Sequence, residues 1–278
     1  MDFAYYNGHL GKYEDIAVPL SDRAIFFGDG VYDAMIGARG RIFLLDEHIE
    51  RLYKNAERLG TMPPVSREEL CRILSEVALR SELREYFLYA QFSRGKARRA
   101  HSAIGAVTNL LVTATALSLP SPDRRLDLIT AEDLRYGYCD IKTVNLLPAV
   151  LASSAAEEAG ADEAVFYRGE IITECAHSNI SILKDGRLIT HPISPRILPG
   201  ITRRHLIDAA DRLGIPVCER AFTKAELFSA DEVIVSSTTK LVLAAKSIDG
   251  RLVGGGDGET FSLLQGAVCE EFNNFIYN

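Results

Sequence analysis

The sequence has few cysteines, and none is arranged for a disulfide framework or a zinc site. There are five in 278 residues, they stand far apart, and no C-x-x-C pair occurs. Disulfide-stabilised domains and zinc sites use closely spaced or paired cysteines. We therefore expect reduced thiols, no metal and a cytoplasmic location.

Long apolar runs and an excess of positive charge are also lacking. No apolar run reaches the roughly 20 residues that span a bilayer, and the first residues lack the basic and apolar segments of a secretory signal. Lys and Arg number 31 against 38 Asp and Glu, a formal net charge of −7 that is spread along the chain. We expect a protein that binds neither membranes nor nucleic acid.

What the chain does contain is typical of a globular enzyme: hydrophobic residues make up 47% and charged residues 25%. The clearest break is the polar stretch 118–125, which contains two prolines. We predict a small α/β domain over residues 1–118, a linker over 119–125 and a larger domain over 126–278. Many short strands with few helices favour a barrel-like second half, and the predicted fold class is α/β (α+β).

Hydrophobic periodicity predicts helices over 46–59, 66–81, 146–160 and 202–213. Strand-like runs include 3–6, 16–18, 86–93, 109–116 and 231–235. The sequence Ala-Arg-Gly-Arg at 38–41 predicts a hairpin turn. The Gly-Asp-Gly at 28–30 indicates either a close approach of the backbone to another group or the start of a helix.

Lys142 lies in an apolar run with Ile141, Val144, Leu146 and Leu147. A lysine that forms a Schiff base must be neutral when it attacks, and apolar surroundings favour the neutral amine. An isolated lysine of this kind is more often found at a strand end with its ammonium in water, so Lys142 needs further support.

That support comes from an acid and an anion site that follow in order. Glu174 follows two isoleucines, and Gly200-Ile201-Thr202 precedes a predicted helix whose free amides and dipole would attract a phosphate. Ser237 and Thr238 follow a strand and offer hydroxyl groups. An amine, a carboxylate and a phosphate site are the three groups that pyridoxal 5′-phosphate requires of a protein.

Two arginine positions complete the candidates. Arg51 lies inside the predicted helix 46–59, where spacing alone favours a solvated side chain. Arg99 and His101 lie in a basic loop and would face the same side in extended backbone. Two such donors suit a carboxylate.

In this order the motifs resemble the class IV (fold-type IV) aminotransferases, which use pyridoxal 5′-phosphate. The resemblance covers nearly the whole chain and is greatest to the D-amino-acid (D-alanine) aminotransferase branch. The segments that carry it are DR at 22–23, FGDGVY at 27–32, EHIERLY at 47–53, RAH at 99–101, CDIK at 139–142, TE at 173–174, GITR at 200–203 and STT at 237–239.

The resemblance implies a role for each candidate. Lys142 would form the Schiff base and move the proton at the substrate Cα, and Glu174 would pair with the ring nitrogen of the cofactor. The implied phosphate ligands are Arg51, Ile201, Thr202 and Thr238, with Ser237 beside them, and Leu198 would support the cofactor ring. The implied binding residues for the substrate α-carboxylate are Tyr32, Arg99 and His101.

The resemblance also implies partners and substrates. A homodimer would enclose cofactor between two domains of each chain, with the Arg-x-His loop reaching the partner's site. The substrates would be amino acids and 2-oxo acids, with D-alanine as donor and 2-oxoglutarate as acceptor.

Departures from the family pattern and three alternatives remain open, and one departure is the extra arginine at position 98 beside the Arg-x-His motif. Cys175-Ala176-His177 stands where similar enzymes have small serine-rich sequence, and Pro199 is more like the branched-chain enzymes. The alternatives are a branched-chain L-amino-acid aminotransferase, an aminodeoxychorismate lyase of the same fold, and a catalytically silent small-molecule-binding or scaffold protein.

Overall fold

The structure is a computed structural model that describes residues 1–277, and it divides into two compact units. The first contains Met1–Ser118, Ile141–Asn145 and the residues from Phe275 onward, and the second contains Leu119–Asp140 and Leu146–Asn274. The sequence predicted continuous domains, whereas the segment 141–145 is grouped here with the first unit. The reason is backbone hydrogen bonding between this segment and a strand of the first unit.

The first unit is a six-stranded antiparallel sheet with its two longer helices packed on one face. Its strands are β1 (Phe3–Tyr6), β2 (His9–Lys12), β3 (Gly30–Ala38), β4 (Arg41–Ile42), β5 (Glu85–Lys96) and β6 (Val107–Ala116), in the order β2-β1-β6-β5-β3-β4. Its helices are α1 (Arg23–Phe27), α2 (Leu45–Arg58) and α3 (Arg67–Ser81). Alternate residues of the strands pack with α2 and α3 to form the core, including Val31, Met35, Leu88, Phe92, Leu52 and Leu70.

Three local predictions in this unit have clear outcomes. The strand predicted over 16–18 is wrong, because Asn7 and Gly8 take positive φ and turn the chain early into β2. The close approach indicated by Gly-Asp-Gly is confirmed, since a Cβ on Gly30 would lie 2.7 Å from the carbonyl oxygen of Phe92. The predicted hairpin is also confirmed, with positive φ at residues 39 and 40 between β3 and β4.

The second unit is built on a nine-stranded mixed sheet. Its strands are β7 (Arg125–Glu132), β8 (Glu163–Arg168), β9 (Ile171–Cys175), β10 (Asn179–Lys184), β11 (Arg187–Thr190), β12 (Val217–Glu219), β13 (Glu232–Ser237), β14 (Leu241–Ile248) and β15 (Arg251–Leu252). They follow the order β12-β11-β10-β13-β14-β7-β8-β9, with β15 paired to β14. The helices are α4 (Leu147–Glu158), α5 (Ile201–Arg212), α6 (Lys224–Phe228) and α7 (Gly258–Tyr277).

This sheet is curled. The strand β9 ends the strand order, yet it is joined to β10 by a short turn, across which Cys175 N–H donates to the carbonyl of Ser178. The end of the sheet at β9 must therefore bend back toward β10 around the apolar core. The predicted α/β class with a barrel-like second half is confirmed. No helix of residues 1–277 is long and apolar enough to cross a membrane.

Gly95→Ala should destabilise the protein strongly. Gly95 forms a bulge at the end of β5 with φ +91°, and a Cβ there would lie 1.5 Å from the carbonyl oxygen of Val107. We expect the free energy of unfolding to fall by about 3 kcal/mol in urea titration. Gly105→Ala is the control, because Gly105 also has positive φ but open space around it. It should cost only about 1 kcal/mol, and equal losses would contradict the steric explanation.

Candidate active site

The segment that carries Lys142 is held against the start of β3. Tyr32 N–H donates to the Lys142 carbonyl at 2.9 Å, and Val144 N–H donates to the Gly30 carbonyl at 3.2 Å. The Lys142 Nζ atom lies 4.4 Å from the centre of the Tyr32 ring. The predicted catalytic lysine and one predicted substrate-binding residue are therefore neighbours in the first unit.

The apolar surroundings expected for Lys142 are only partly present. Ile141 is buried, but Leu146 and Leu147 are 40% and 68% exposed. Both leucines, which were expected to desolvate the amine, lie at the start of α4 and leave much of their side chains exposed to solvent. The Tyr32 ring, which stacks on Tyr89 with centroids 5.1 Å apart, lies against the amine.

Arg51 is buried in a charge cluster on the other face of β3. Successive side chains of a strand point to opposite faces, so Asp33 faces α2 while Tyr32 does not. Arg51 Nε and Nη2 each donate to a different oxygen of Asp33 at 2.8 Å, and the Asp33 carboxylate also bonds His48 Nδ1 at 2.7 Å. The prediction of a solvated arginine from spacing alone is wrong at this position.

Contacts within this cluster shift the pKa values of Asp33 and His48. Burial alone would raise the pKa of Asp33, but the guanidinium of Arg51 and the imidazole of His48 hold it well below its usual range. Burial lowers the pKa of His48, and the positive charges of Arg51 and Lys142 lower it further, against the opposing effect of Asp33. The arginine is thus presented in one orientation by a bidentate buried ion pair.

Arg99 and His101 lie in the exposed loop 97–106 between β5 and β6. Both pack on the ring of Phe27: the Arg99 guanidinium carbon is 5.5 Å from its centre, and the His101 ring centroid is 5.6 Å away. The two residues therefore share one support. Within residues 1–277, no hydrogen bond, ion pair or ring contact joins either of them to Tyr32, so the three predicted carboxylate-binding residues do not meet in one chain.

Glu174 is buried near the end of β9, and its carboxylate accepts hydrogen bonds on both oxygens. Arg135 donates to Oε1, while Asn179 Nδ2 and the backbone N–H of Leu198 donate to Oε2 at 2.9 and 3.0 Å. Asn179 also donates to the Leu198 carbonyl at 2.9 Å. The predicted residues Glu174 and Leu198 are thereby joined both directly and through Asn179, which sequence reasoning did not select.

Arg135 links Glu174 to a second buried acid. Its Nε and Nη2 bond the two oxygens of Asp133 at 2.9 Å, and Arg168 and Thr173 donate to the same carboxylate. Burial opposes ionisation of Asp133, but these donors, Arg135 first, lower its pKa to about 2. The pKa of Arg135 is raised in turn by its two acids, against the effect of burial. The cation beside Glu174 is therefore permanent.

The helix α5 begins directly after the Leu198 segment. Its first residue is Ile201, its N-cap is Gly200, and no side chain caps it. Gly200 is required by close packing, since a Cβ there would lie 1.9 Å from Asn179 Oδ1. Thr202 is buried in the first turn. An N-terminus of this kind presents backbone donors and a positive dipole end to an anion.

The predicted hydroxyl residues lie at the end of β13, against which α5 packs. Ser237 Oγ accepts from Lys240 N–H at 3.2 Å, and Thr238 follows in the turn. The hydroxyl of the preceding Ser236 is buried and has no hydrogen-bond partner among the described residues. Leu198, Ile201, Thr202, Ser237 and Thr238 all belong to the second unit.

The departures at 175–177 have structural explanations. Cys175 is buried in β9, and burial raises the pKa of its thiol well above the usual value. His177 Nε2 contacts Lys240 Nζ at 2.8 Å, and both bond the fully buried Glu163: His177 through its backbone N–H at 2.8 Å, Lys240 through Nζ at 3.0 Å. No group of three or more His, Cys, Asp or Glu in the described chain is arranged to hold a metal.

Sequence reasoning missed the partners that hold the predicted residues described above: Asp33, His48, Arg135, Asp133 and Asn179. A signal existed for Asp33, because it follows Tyr32 in an otherwise apolar strand, where an acid has to find a cation. No such signal marked Arg135, which stands among charged and aromatic residues of a polar stretch. Its importance depends entirely on the fold.

The family described as amino-transferase class IV matches residues 30–248. The chain therefore belongs to the class IV aminotransferases, as the order of its motifs predicted. Enzymes of this class use pyridoxal phosphate to transfer amino groups.

Individual members of the family are also similar to this chain. The D-alanine aminotransferase of Listeria monocytogenes is 41% identical over 256 residues, which are 90% of this chain and 89% of the relative. The D-alanine aminotransferase of Bacillus licheniformis is 40% identical and covers 90% of each chain. Among solved structures, the branched-chain amino acid aminotransferase of Escherichia coli is 25% identical, with a TM-score of 0.87 and coverage of 100% of this chain and 96% of that one.

Asp133→Asn should destabilise the protein most near neutral pH. An acid whose pKa is lowered on folding adds stability above its unfolded pKa of about 3.9, and that stability is lost as the pH falls through the folded value of about 2. We expect the variant to be less stable by roughly 2 kcal/mol near neutral pH and the difference to shrink in acid. Urea titrations at a series of pH values measure this. A penalty that did not change with pH would contradict the assignment.

Proposed function

We propose that this protein is a D-amino-acid aminotransferase that moves the amino group of a D-amino acid, D-alanine in the first place, to a 2-oxo acid such as 2-oxoglutarate. The similarity to D-alanine aminotransferases at 41% and 40% identity over 90% of the chain carries the proposal. The two half-reactions follow each other on one cofactor, in a ping-pong sequence.

The second unit fits the cofactor. A pyridoxal phosphate molecule has a phosphate at one end and a ring nitrogen at another, and these need an anion site and a carboxylate. The uncapped start of α5 and the unpartnered buried hydroxyl of Ser236 suit a phosphate. Both oxygens of Glu174 accept hydrogen bonds, as those of an ionised carboxylate do. When bound, the cofactor supplies an electron sink for the charge that develops at the substrate Cα.

Lys142 is the residue that we propose bonds the cofactor and, once released, removes the proton from the substrate Cα. A lysine held through its backbone to β3 keeps a defined attachment point for a flexible side chain. The adjacent Tyr32 ring limits the space that the amine can sample. Both effects favour a proton transfer with fixed geometry.

Glu174 is proposed to hold the proton on the ring nitrogen. Three donors keep the carboxylate in one orientation, and the cation of Arg135 balances its charge. The phosphate is proposed to be held by Arg51, Ile201, Thr202, Ser237 and Thr238, with Leu198 against the ring. Arg51 brings one guanidinium that Asp33 has already oriented.

Tyr32, Arg99 and His101 are proposed to bind the α-carboxylate of the substrate. Charge-assisted hydrogen bonds from such donors orient a carboxylate and so determine which face of Cα is presented. Arg99 and His101 are exposed on their own chain, so they are available to a second copy. We propose a homodimer in which each copy supplies this loop to its partner.

A branched-chain L-amino-acid aminotransferase is one rival, because the Escherichia coli branched-chain enzyme shares the fold. Pro199 also resembles that branch. The pair Arg99 and His101 favours the D-amino-acid branch instead.

The choice of donor tests the proposal directly. We expect D-alanine to be transaminated at least about 100-fold faster than L-leucine, each with 2-oxoglutarate. The reason is that the carboxylate-binding residues orient the substrate so that only one enantiomer presents its Cα proton to the lysine. Coupled detection of pyruvate, and of the oxo acid of leucine, measures both rates. Faster turnover of L-leucine would establish the rival, and pyruvate release from aminodeoxychorismate without any 2-oxo acid would indicate the lyase.

Lys142→Ala should lower turnover by more than about 1000-fold, because both the covalent attachment and the proton transfer depend on this amine. Borohydride reduction of the wild-type holoenzyme, followed by peptide mapping, should place the pyridoxyl group on Lys142. Lys54→Ala, which changes an exposed lysine of α2, is the control and should keep full activity. A modified peptide that does not contain Lys142 would end the assignment.

A further inference from the structure

The loop 97–106 is exposed, yet a buried arginine holds its backbone. Arg23 donates to three consecutive carbonyl groups of this loop, and 4% of its side chain is exposed. The bonds are from Nη1 to Ala100 at 2.6 Å and Ser102 at 3.3 Å, and from Nη2 to His101 at 3.1 Å. The held carbonyls belong to or directly follow the two residues of the loop that we propose bind the carboxylate.

The other side of Arg23 is anchored to the body of the first unit. Arg23 Nε donates to Asp29 Oδ2 at 2.7 Å, and Arg94 Nε donates to Asp29 Oδ1 at 2.8 Å. Arg94 also bonds the carbonyls of residues 59 and 60 after α2. The guanidinium of Arg23 therefore connects the surface loop to Asp29, which Arg94 holds in place. Surface loops are commonly mobile and variable in sequence.

Only arginine can make this set of bonds. A guanidinium carries five N–H donors in a rigid planar fork, whereas the lysine ammonium has three donors on a flexible stem. With one carboxylate and three carbonyls as acceptors, a lysine at position 23 would have to leave at least one of the four without a donor.

Phe27 adds a shared support for the side chains. Its ring centre lies 4.6 Å from the Arg23 guanidinium carbon, 5.5 Å from that of Arg99 and 5.6 Å from the His101 ring. Arg23 thus fixes the backbone of the loop, and the ring beside it fixes the direction of both donors.

We propose that Arg23 is a positioning residue for substrate binding, which presets Arg99 and His101 for the α-carboxylate by holding the carbonyls of residues 100–102. This inference rests on the proposed function, which assigns those two side chains to that carboxylate. A loop that is not preset has to be ordered by the substrate, and that cost reduces affinity. Lys142, which moves the proton, is not touched by Arg23. The loss should therefore appear in KM and not in kcat.

Arg23→Lys tests the proposal with the charge beside Asp29 retained. We expect KM for both D-alanine and 2-oxoglutarate to rise about 10- to 100-fold, with kcat changed by less than about threefold. Arg84→Lys, at an exposed arginine before β5, is the matched control and should leave KM unchanged. Unchanged KM in Arg23→Lys, or a fall in kcat alone, overturns the proposal.

A double-mutant cycle separates positioning from general stability. In an Arg99→Ala background, adding Arg23→Lys should raise KM clearly less than it does in the wild-type background, because one of the two groups that Arg23 positions is gone. An unchanged 10- to 100-fold effect in that background would overturn the proposal. If Arg23→Lys does not fold, Asp29→Asn serves instead, because it weakens the ion pair that anchors Arg23. It should give a smaller rise in KM, and that rise should also depend on Arg99. A rise in KM that is independent of Arg99 overturns the proposal.

The wild-type enzyme distinguishes this proposal from the one on which it rests. Wild-type protein loaded with pyridoxal phosphate that transaminates no D-amino acid refutes the proposed function, and the positioning role falls with it. Active wild-type protein with normal KM values in Arg23→Lys refutes the positioning role alone.

Discussion

The backbone hydrogen bonds between residues 142–144 and the start of β3 determine where this chain presents its lysine. They place Lys142 on the first unit, although the residues on both sides of 141–145 belong to the second. The register matters because side chains alternate along a strand. With Tyr32 bonded to the lysine segment, its ring meets the amine and Asp33 points to α2, where it orients Arg51. A shift of one residue would exchange these two faces.

Buried or largely buried acids paired with cationic side chains are the second constraint. Each unit contains them, and the pairs are Asp33 with Arg51, Asp29 with Arg23, Glu174 and Asp133 with Arg135, and Glu163 with Lys240. Such pairs add little net stability, but removing one member leaves a buried charge that costs several kcal/mol. Their contribution here is to orient the charged side chains. Charges that are preorganised before the substrate binds are the basis of electrostatic catalysis.

The fold is shared with enzymes that act on other substrates. A branched-chain enzyme has this fold at a TM-score of 0.87 and only 25% identity, so strand order does not choose the substrate. In this chain the residues that we propose select the substrate, Arg99 and His101, lie on the loop after β5. The bulge at Gly95 lets the chain leave the sheet, and Arg23 and Phe27 then support the loop. Loops held by a rigid sheet are where recognition is commonly placed.

The sequence by itself determined the fold class, most helices and strands, the family, and the ordered motifs around Lys142, Glu174 and Thr202, because periodicity and capping are local properties. It did not reveal the turn at Asn7-Gly8, the exposure of Leu146 and Leu147, or the segment 141–145 leaving its neighbours. Nor could it reveal that Arg135 holds Glu174 or that Arg23 holds the loop 97–106. Those facts were decided only by tertiary structure, since a buried charge selects its partner by distance in space, and the distance along the chain carries no such information.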